Sequence, residues 1–464
     1  MRQALSCLLA LILAGCSFDS TVDIHTRSDE LVVALRELPT SYQPDGLDNG
    51  RGGKGFEYDL LSMLAEHLGK PLRVIPLPSE NDVLRYLRHR RSHLGAAWLS
   101  VPVQHPDAYW ASRSFFESQP VIVQNVDDRP VTRPEDLVDR VVAVRAGSPL
   151  ANRLLSGRYA LVGGAAIAER PDYTGLRLIR AVADGKVPVA AVELPQLDLA
   201  RTFLPDVQAT LTLGDPREIV WLMQAGFDPE LQIQINLFLE AITTDGRLER
   251  IFDRYFGHVR RLNRYDTVAF ITRIRTVLPR FNELFWKAEA STGIDWRLIA
   301  ALSYQESHWD PLATSKTGVR GIMMLTGDTA DRMGVKNRLD PTESIRGGAE
   351  YLALLRDGMP DSIVEPDRTF IAIAAYNVGM AHIYSARRLA RLKGLNPDLW
   401  HELRRVLPLL SRAEYYNTLP TGRARGGETV IMVENIRAFY DILRRNAPPY
   451  ETFAEITARP PPQP

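Results

Sequence analysis

Strand-like patterning stops near Thr267, and that break constrains the fold more than any other feature of this 464-residue chain. Before it, short apolar runs at Leu31–Leu35, Arg73–Leu77, Ala96–Leu99, Val121–Gln124, Val141–Val144 and Val189–Val192 read as strands, and Phe56–Leu68 and Asn81–Arg90 as helices. Such alternation predicts an α/β domain with mostly parallel strands. After it, the apolar residues fall at helical spacing, with a break at Leu278-Pro279 and a glycine-punctuated loop from Ala313 to Thr326. One hydrophobic core does not serve a chain this long. We therefore expect an α/β module at 30–258, a basic connector at 259–269, a mainly α module at 270–447 and a solvated Pro-rich tail at 448–464.

The first residues carry an address. Met1 and Arg2 precede an apolar run from Ala4 to Ala14, short of the ~20 residues that span a bilayer as a helix. Residues 1–15 thus read as a signal peptide. The sequence Leu13-Ala14-Gly15-Cys16 resembles the lipobox of bacterial lipoproteins. That resemblance implies cleavage before Cys16 and its lipidation, with 16–29 as a tether. Ser17, where an aspartate is absent, implies sorting to the outer membrane and a periplasmic face. Cys7 leaves with the leader, so the exported chain relies on its cores and not on disulfides. With 56 basic and 56 acidic residues, nothing marks a nucleic-acid footprint or a polybasic membrane patch.

One carboxylate stands out in the helical half. In Asp295–Pro311, the residues Ile299, Leu302, Ser303 and Glu306 fall at i, i+3, i+4 and i+7, so Glu306 shares an apolar stripe. Burial there raises a carboxyl pKa and lets it donate a proton near neutral pH. Asp295 is the expected N-cap. Asp310, just before Pro311, reads as a turn residue and not as a second catalytic acid. Further on, Asp340-Pro-Thr-Glu343 predicts a capping-box start to a helix that contains Gly347 and Gly348, two glycines that close helix packing would explain. No zinc-type H-x-x-x-H pair with a glutamate and no G-x-S-x-G occurs, and we expect neither metal nor cofactor. Gly50-Arg-Gly-Gly-Lys-Gly55 formally fits G-x-G-x-x-G but lies about twelve residues beyond its strand, so it reads as a loop.

Three stretches, 55–69, 141–154 and 243–257, resemble the periplasmic solute-binding proteins for amino acids. The resemblance implies a two-lobed α/β domain in which Ser148 and Glu193 touch a ligand. The arginine that grips an amino-acid carboxylate in that family is missing: Gln104-His105 stands there, with Arg113 displaced. A muropeptide or another small molecule becomes the expected ligand, or none.

The helical half resembles the lytic transglycosylases with a goose-type lysozyme-like fold. Three ordered motifs carry the likeness: Glu306-Ser307-x-x-Asp310-Pro311, Ser315-x-x-Gly318-x-x-Gly321-Ile-Met-Met324 and Ala375-Tyr376-Asn377-x-Gly379. The resemblance implies that Glu306 is the sole catalytic acid and that peptidoglycan glycan strands are the substrate. It implies Ser307 and Asn377 as hydrogen-bonding partners of the acetamido group, with Ser315, Met324 and Tyr376 lining the sugar groove. The alternatives for Ser307, Asn377, Tyr376 and Met324 are a helix-end hydrogen bond, a turn and plain core. Met432 stands where many relatives have a tyrosine that could touch substrate or acid, a place that Tyr415 or Tyr416 could fill. Most glycosidases use two carboxylates, and substrate assistance is the exception that one acid permits. The resemblance implies a non-hydrolytic reaction, in which the muramic sugar's own 6-hydroxyl closes an anhydro ring. A muramidase that uses water, and a sensor whose helical domain only grips glycan, are the other readings.

Overall fold

The computed structural model describes residues 29–36, 41–42, 55–102, 105–157, 165–201, 203–257, 262–315 and 317–448. The leader, Cys16, the tether up to residue 28, Gln104, residues 50–54 of the glycine-rich stretch and the tail from 449 lie outside them. The chain forms two compact units. One contains Met1–Ser118, Arg145–Ala160 and Gly214–Leu248; the other contains Gln119–Val144, Leu161–Leu213 and Glu249–Pro464.

The first half runs β1 (Leu31–Arg36), α1 (Phe56–Leu68), β2 (Leu72–Leu77), α2 (Glu80–Arg88), β3 (Leu94–Ala96), β4 (Tyr109–Ala111), β5 (Phe116–Ser118), β6 (Pro120–Asn125) and β7 (Val141–Arg145). It continues with α3 (Pro149–Leu155), β8 (Ala166–Arg170), α4 (Gly175–Ala183), β9 (Ala190–Glu193), α5 (Leu194–Arg201), β10 (Val207–Thr212), β11 (Arg217–Ile219), β12 (Leu222–Gln224), α6 (Pro229–Thr244) and α7 (Arg247–Phe256). The first unit holds a sheet of order β2-β1-β3-β12-β4 and the second a sheet of order β10-β6-β9-β7-β8. This is the expected two-lobed α/β architecture, but the sheets are mixed. β1 runs parallel to β2 and β3, whereas β12 is antiparallel to β3 and β4, and β6 is antiparallel to β9 and β10. The returning strands β4, β5, β11 and β12 have three residues each, too short to show an alternation.

The second half is helical: α8 (Arg264–Thr276), α9 (Asn282–Thr292), α10 (Trp296–Ser307), α11 (Gly327–Arg332), α12 (Pro341–Asp357), α13 (Asp367–Val378), α14 (Met380–Leu392), α15 (Trp400–Val406), α16 (Ala413–Tyr416) and α17 (Gly426–Asn446). A short 3₁₀ turn at Leu278–Arg280 makes the expected break. The stretch assigned as a connector is helical from Arg264, because the Asn263 side chain caps α8 by accepting from Asp266 N at 3.0 Å. Within the second unit, α7 inserts Asp253 among α15 and α17, where Arg404 Nη2 lies 2.7 Å from its carboxylate and Arg437 Nη2 donates to its carbonyl at 2.9 Å. Glu434 pairs with Arg437 at 2.8 Å and accepts from Trp400 Nε1 at 2.8 Å. Asp253, Glu434 and Arg437 are buried, so the network holds only while each charge keeps its partners.

α12 explains its two glycines. A Cβ on Gly347 would meet Val335 Cγ2 at 2.3 Å, and one on Gly348 would meet Met323 Cβ at 2.7 Å. Asp340 caps the helix by accepting from Glu343 N, but Glu343 turns away to accept from Lys336 N and Asn337 N, so the box is only half closed. Overpacking of this kind costs about 1–3 kcal/mol. Gly348→Ala should therefore lower the melting temperature of the helical unit by several degrees in calorimetry; an unchanged transition would mean that Met323 yields freely.

Candidate active site

Glu306 occupies the last turn of α10. The helix starts where Asp295 accepts from Arg297 N at 2.9 Å, and the same carboxylate is held by the Arg297 side chain and by Tyr440 Oη at 2.8 Å. Ile299, Leu302 and Ser303 are fully buried on the stripe that leads to Glu306, as the spacing predicts. Beyond Ser307 the chain turns sharply through two left-handed residues, His308 at φ 54° and Trp309 at φ 59°. Such a conformation is unfavourable for bulky residues, and here packing holds it: the Trp309 indole is buried, donates to Ala300 O at 2.8 Å and stacks near Phe270 and Tyr304. Asp310 stands exposed in this turn and accepts from Leu312 N at 2.9 Å.

The loop between Ala313 and Thr326 lies against α10. Ser303 Oγ and Ser307 Oγ both donate to Ile322 O, at 3.0 and 2.8 Å. Ser307 is buried, and its hydroxyl is committed to the loop and to Ser303 O; it is where a helix-end bond was one reading. Ser315 likewise staples its own loop, pairing with Thr317 Oγ1 and accepting from Val319 N. Gly321 adopts φ +82°, and a Cβ there would sit 1.7 Å from Arg338 O, so only glycine fits. Met324 follows in a left-handed conformation, φ 48°, and is partly exposed.

From α13, Tyr376 donates to Met323 O at 2.8 Å. Burial raises its phenol well above the ordinary value, and the neighbouring Glu306 adds to the rise. Asn377, exposed at the end of α13, accepts from Thr429 Oγ1 of α17 at 2.7 Å, which holds its amide through the oxygen. Glu306, Tyr376, Met323 and Ser307 thus meet around one short loop. Met432 is buried in the core of α17. The phenol beside Glu306 is Tyr376 and not Tyr415, whose hydroxyl takes a hydrogen bond from Lys393 at 3.1 Å. Sequence reasoning passed over Ser344, which accepts from Met323 N at 3.3 Å, and Thr429. A serine or threonine at a buried helix position was the available signal.

In the other half, Ser148 caps α3 by accepting from Ala151 N and donates to Arg145 O. Glu193 is buried at the end of β9. Arg113 lies against α6: its backbone N donates to Asn236 Oδ1, and its exposed side chain pairs with Glu240 at 2.9 Å.

Burial alone raises the Glu306 carboxyl from 4.5 to about 8. No acidic neighbour contributes, and among the described residues no hydrogen bond or ion pair reaches it. A proton held in the native state but released by the unfolded chain from about pH 4.5 upward makes stability fall as pH rises, until it levels off above about 8. Glu306→Gln removes that dependence. Its melting temperature should therefore exceed that of the unmodified chain by an amount small near pH 5 and larger near pH 9; a constant difference would place the carboxyl in water.

The chain matches the family of Transglycosylase SLT domains over residues 283–396 and the bacterial extracellular solute-binding proteins, family 3, over residues 31–258. The membrane-bound lytic murein transglycosylase F of Nitrosospira multiformis is 39% identical over 97% of this chain and 93% of its own length. The protein of that name from Methylobacillus flagellatus is 38% identical over 97% of this chain and 95% of its own. With its α/β half, its helical half and the Glu306 loop matched in one continuous alignment, the chain belongs to the membrane-bound lytic murein transglycosylase F family.

Proposed function

We propose that the protein is a peptidoglycan lytic transglycosylase that cleaves the β-1,4 bond between N-acetylmuramic acid and N-acetylglucosamine without water. The observation that carries this reading is the single cause of the Glu306 shift. A second carboxylate at the ~5–5.5 Å separation of a retaining glycosidase, or the ~6.5–9.5 Å of an inverting one, would act on Glu306 by its charge, and burial is the only influence on it. Asp310, the nearest acid in sequence, is exposed and serves the turn.

One acid then works twice. Protonated Glu306 gives its proton to the glycosidic oxygen as the C1–O4 bond breaks, and the acetamido oxygen of the muramic sugar attacks C1 to form a cyclic cation. The carboxylate now takes the proton from the sugar's own 6-hydroxyl. O6 attacks C1, the acetamido C–O bond opens, and a 1,6-anhydro ring closes with Glu306 protonated again. A carboxyl near 8 suits both steps, since its proton affinity lies close to working pH. Asn377, exposed and held through its Oδ1, would serve the acetamido group, and Met324 and Tyr376 the groove wall. Ser307 and Ser315 serve that groove by fixing the loop.

Lipidation at Cys16 would hold the enzyme on the periplasmic face of the outer membrane, and the N-terminal α/β domain would bias activity through a small ligand that binds two states of the protein differently. Glu306→Gln should abolish murein clearing, a loss of at least 100-fold consistent with removal of a general acid, while circular dichroism stays native. Mass spectrometry of digested murein should give anhydro ends; reducing ends alone would favour a muramidase that admits water.

A further inference from the structure

The helical half carries a positive face that the chemistry of Glu306 does not use. The chain as a whole is neutral, with 56 basic and 56 acidic residues, yet residues 380–428 hold nine Lys and Arg against four Asp and Glu. α14, which begins directly after the Gly379 of the third motif, contains no acid at all. On that helix Ala381, Tyr384, Arg388 and Arg391 are exposed, a spacing of i, i+3, i+7 and i+10 that puts them on one face. At the helical rise of about 1.5 Å per residue, the stripe runs roughly 15 Å from Ala381 to Arg391, away from the turn at Asn377.

The loop before α17 lies against the start of this stripe and adds to its charge. Ser385 Oγ, next along the helix from Tyr384, shares a hydrogen bond with Thr421 Oγ1 at 2.9 Å. Ala424 is buried and its N donates to Leu410 O at 3.1 Å, so the exposed Arg423 and Arg425 flank a fixed point. The Thr429 hydroxyl that holds Asn377 also reaches Arg425 O, at 3.5 Å. Arg388 and Arg423 pair with no acid among the described residues, and Arg425 meets the exposed Glu428 at 3.6 Å. Arg391 adds its field to Asp398, whose carboxylate Arg387 already holds. Like charges gathered in this way repel one another and favour the approach of an anion.

We infer that this face receives the acidic peptide that the muramic sugar carries, so that the substrate is peptide-bearing glycan and not bare glycan. The inference rests on the lytic reading of the Glu306 site and names its substrate class. The chemistry of the sugar sets the direction. Its acetamido group, which Asn377 would serve, sits on C2, and its peptide is joined through a lactyl ether on C3, the adjacent carbon. A peptide that leaves from C3 beside Asn377 starts at the head of α14. Its carboxylates match the guanidinium forks of Arg388, Arg391 and Arg423. An extended chain covers about 3.3–3.6 Å per residue, so about four or five residues span the stripe. Tyr384, 46% exposed, offers that chain an apolar surface. A glycan stripped of its peptides keeps only the lactyl carboxylate, close to the ring, and leaves the far end of the stripe without an anion.

The test is cleavage of soluble, uncrosslinked glycan strands of matched length by the detergent-solubilised full chain, the strands either keeping their peptides or stripped of them by an amidase. Peptide-bearing strands should be cleaved with the higher kcat/KM. Arg388→Gln/Arg391→Gln should cut that preference about fivefold, the size expected of two exposed ion pairs, through KM and not kcat. The preference should shrink likewise when salt is raised to about 0.5 M. Arg177→Gln/Arg180→Gln, which removes two exposed charges from α4, should leave the preference as it is. If the double variant at 388 and 391 does not fold, Arg388→Gln alone decides. No preference in the unmodified chain, an unchanged preference in the double variant, or an equal fall on both kinds of strand would overturn the inference. So would loss of binding to phosphatidylglycerol vesicles with the strand preference intact, which would assign the face to a lipid surface. Anisotropy of labelled strands bound to Glu306→Gln reads the same preference without turnover. Reducing ends, or no cleavage at all, would therefore sink the lytic reading while the binding ratio still decides the role of this face.

Discussion

A carboxyl withdrawn from water with no counter-charge is the condition on which the helical unit depends. Among the described residues Glu306 has neither the cation that would lower its pKa nor the acid that would share its proton, and burial sets it near 8. The surrounding polar groups are occupied with one another. Ser303 and Ser307 spend their hydroxyls on Ile322 O, and Tyr376 spends its own on Met323 O. Met323 N in turn reaches Ser344. Three helices, α10, α12 and α13, thereby clamp a loop of a few residues, and Met324 keeps a left-handed backbone that an isolated chain would abandon. What remains unpaired at this place is the acid itself, which is what a proton donor requires.

The same helices are fastened at their other ends. α13 carries Tyr376 and Asn377 at its C-terminus and, near its start, Asp367, which accepts from Trp400 N at 2.8 Å, and Phe370, over which Arg437 stacks at 4.8 Å. Arg437 and Glu434 belong to α17, the helix whose Thr429 holds Asn377. Asp253 of α7 completes the network. The match to the solute-binding family runs to residue 258 and so includes a helix that is buried against catalytic-domain helices. A truncation drawn at the family boundary would strip Arg404 and Arg437 of a buried partner, the arrangement that costs most when broken on one side.

Much of this was legible along the chain. The Glu306 stripe, the Asp295 cap and the break at Leu278-Pro279 are local, since they depend on neighbours within two helical turns. Gly347 and Gly348 announced close packing without saying against what. The connector was misjudged although Asn263 and Asp266 stand at cap spacing, because its basic, weakly patterned residues drew attention from the cap. For Ser307 a sugar contact and a helix-end hydrogen bond were both open, and for Ser315 a sugar contact; their hydroxyls are bonded inside the loop system and, for Ser307, to Ser303 O of its own helix, with partners such as Ile322 O that composition does not reveal. Pairings such as Asn377 with Thr429 and Asp253 with Arg437 join residues far apart in sequence, and nothing in either local stretch encodes them. The three-residue strands β4 and β12 that make the first unit's sheet mixed are equally silent.

The central claim is that Glu306 remains a neutral acid at working pH because of its burial. It is tested most directly by following the side-chain carboxyl carbons in protein labelled with ¹³C-glutamate through a pH titration, with Glu306→Gln to assign the resonance. The account requires one carboxyl that titrates near pH 8 and vanishes in the variant. A Glu306 signal that titrates near the ordinary 4.5 would contradict it.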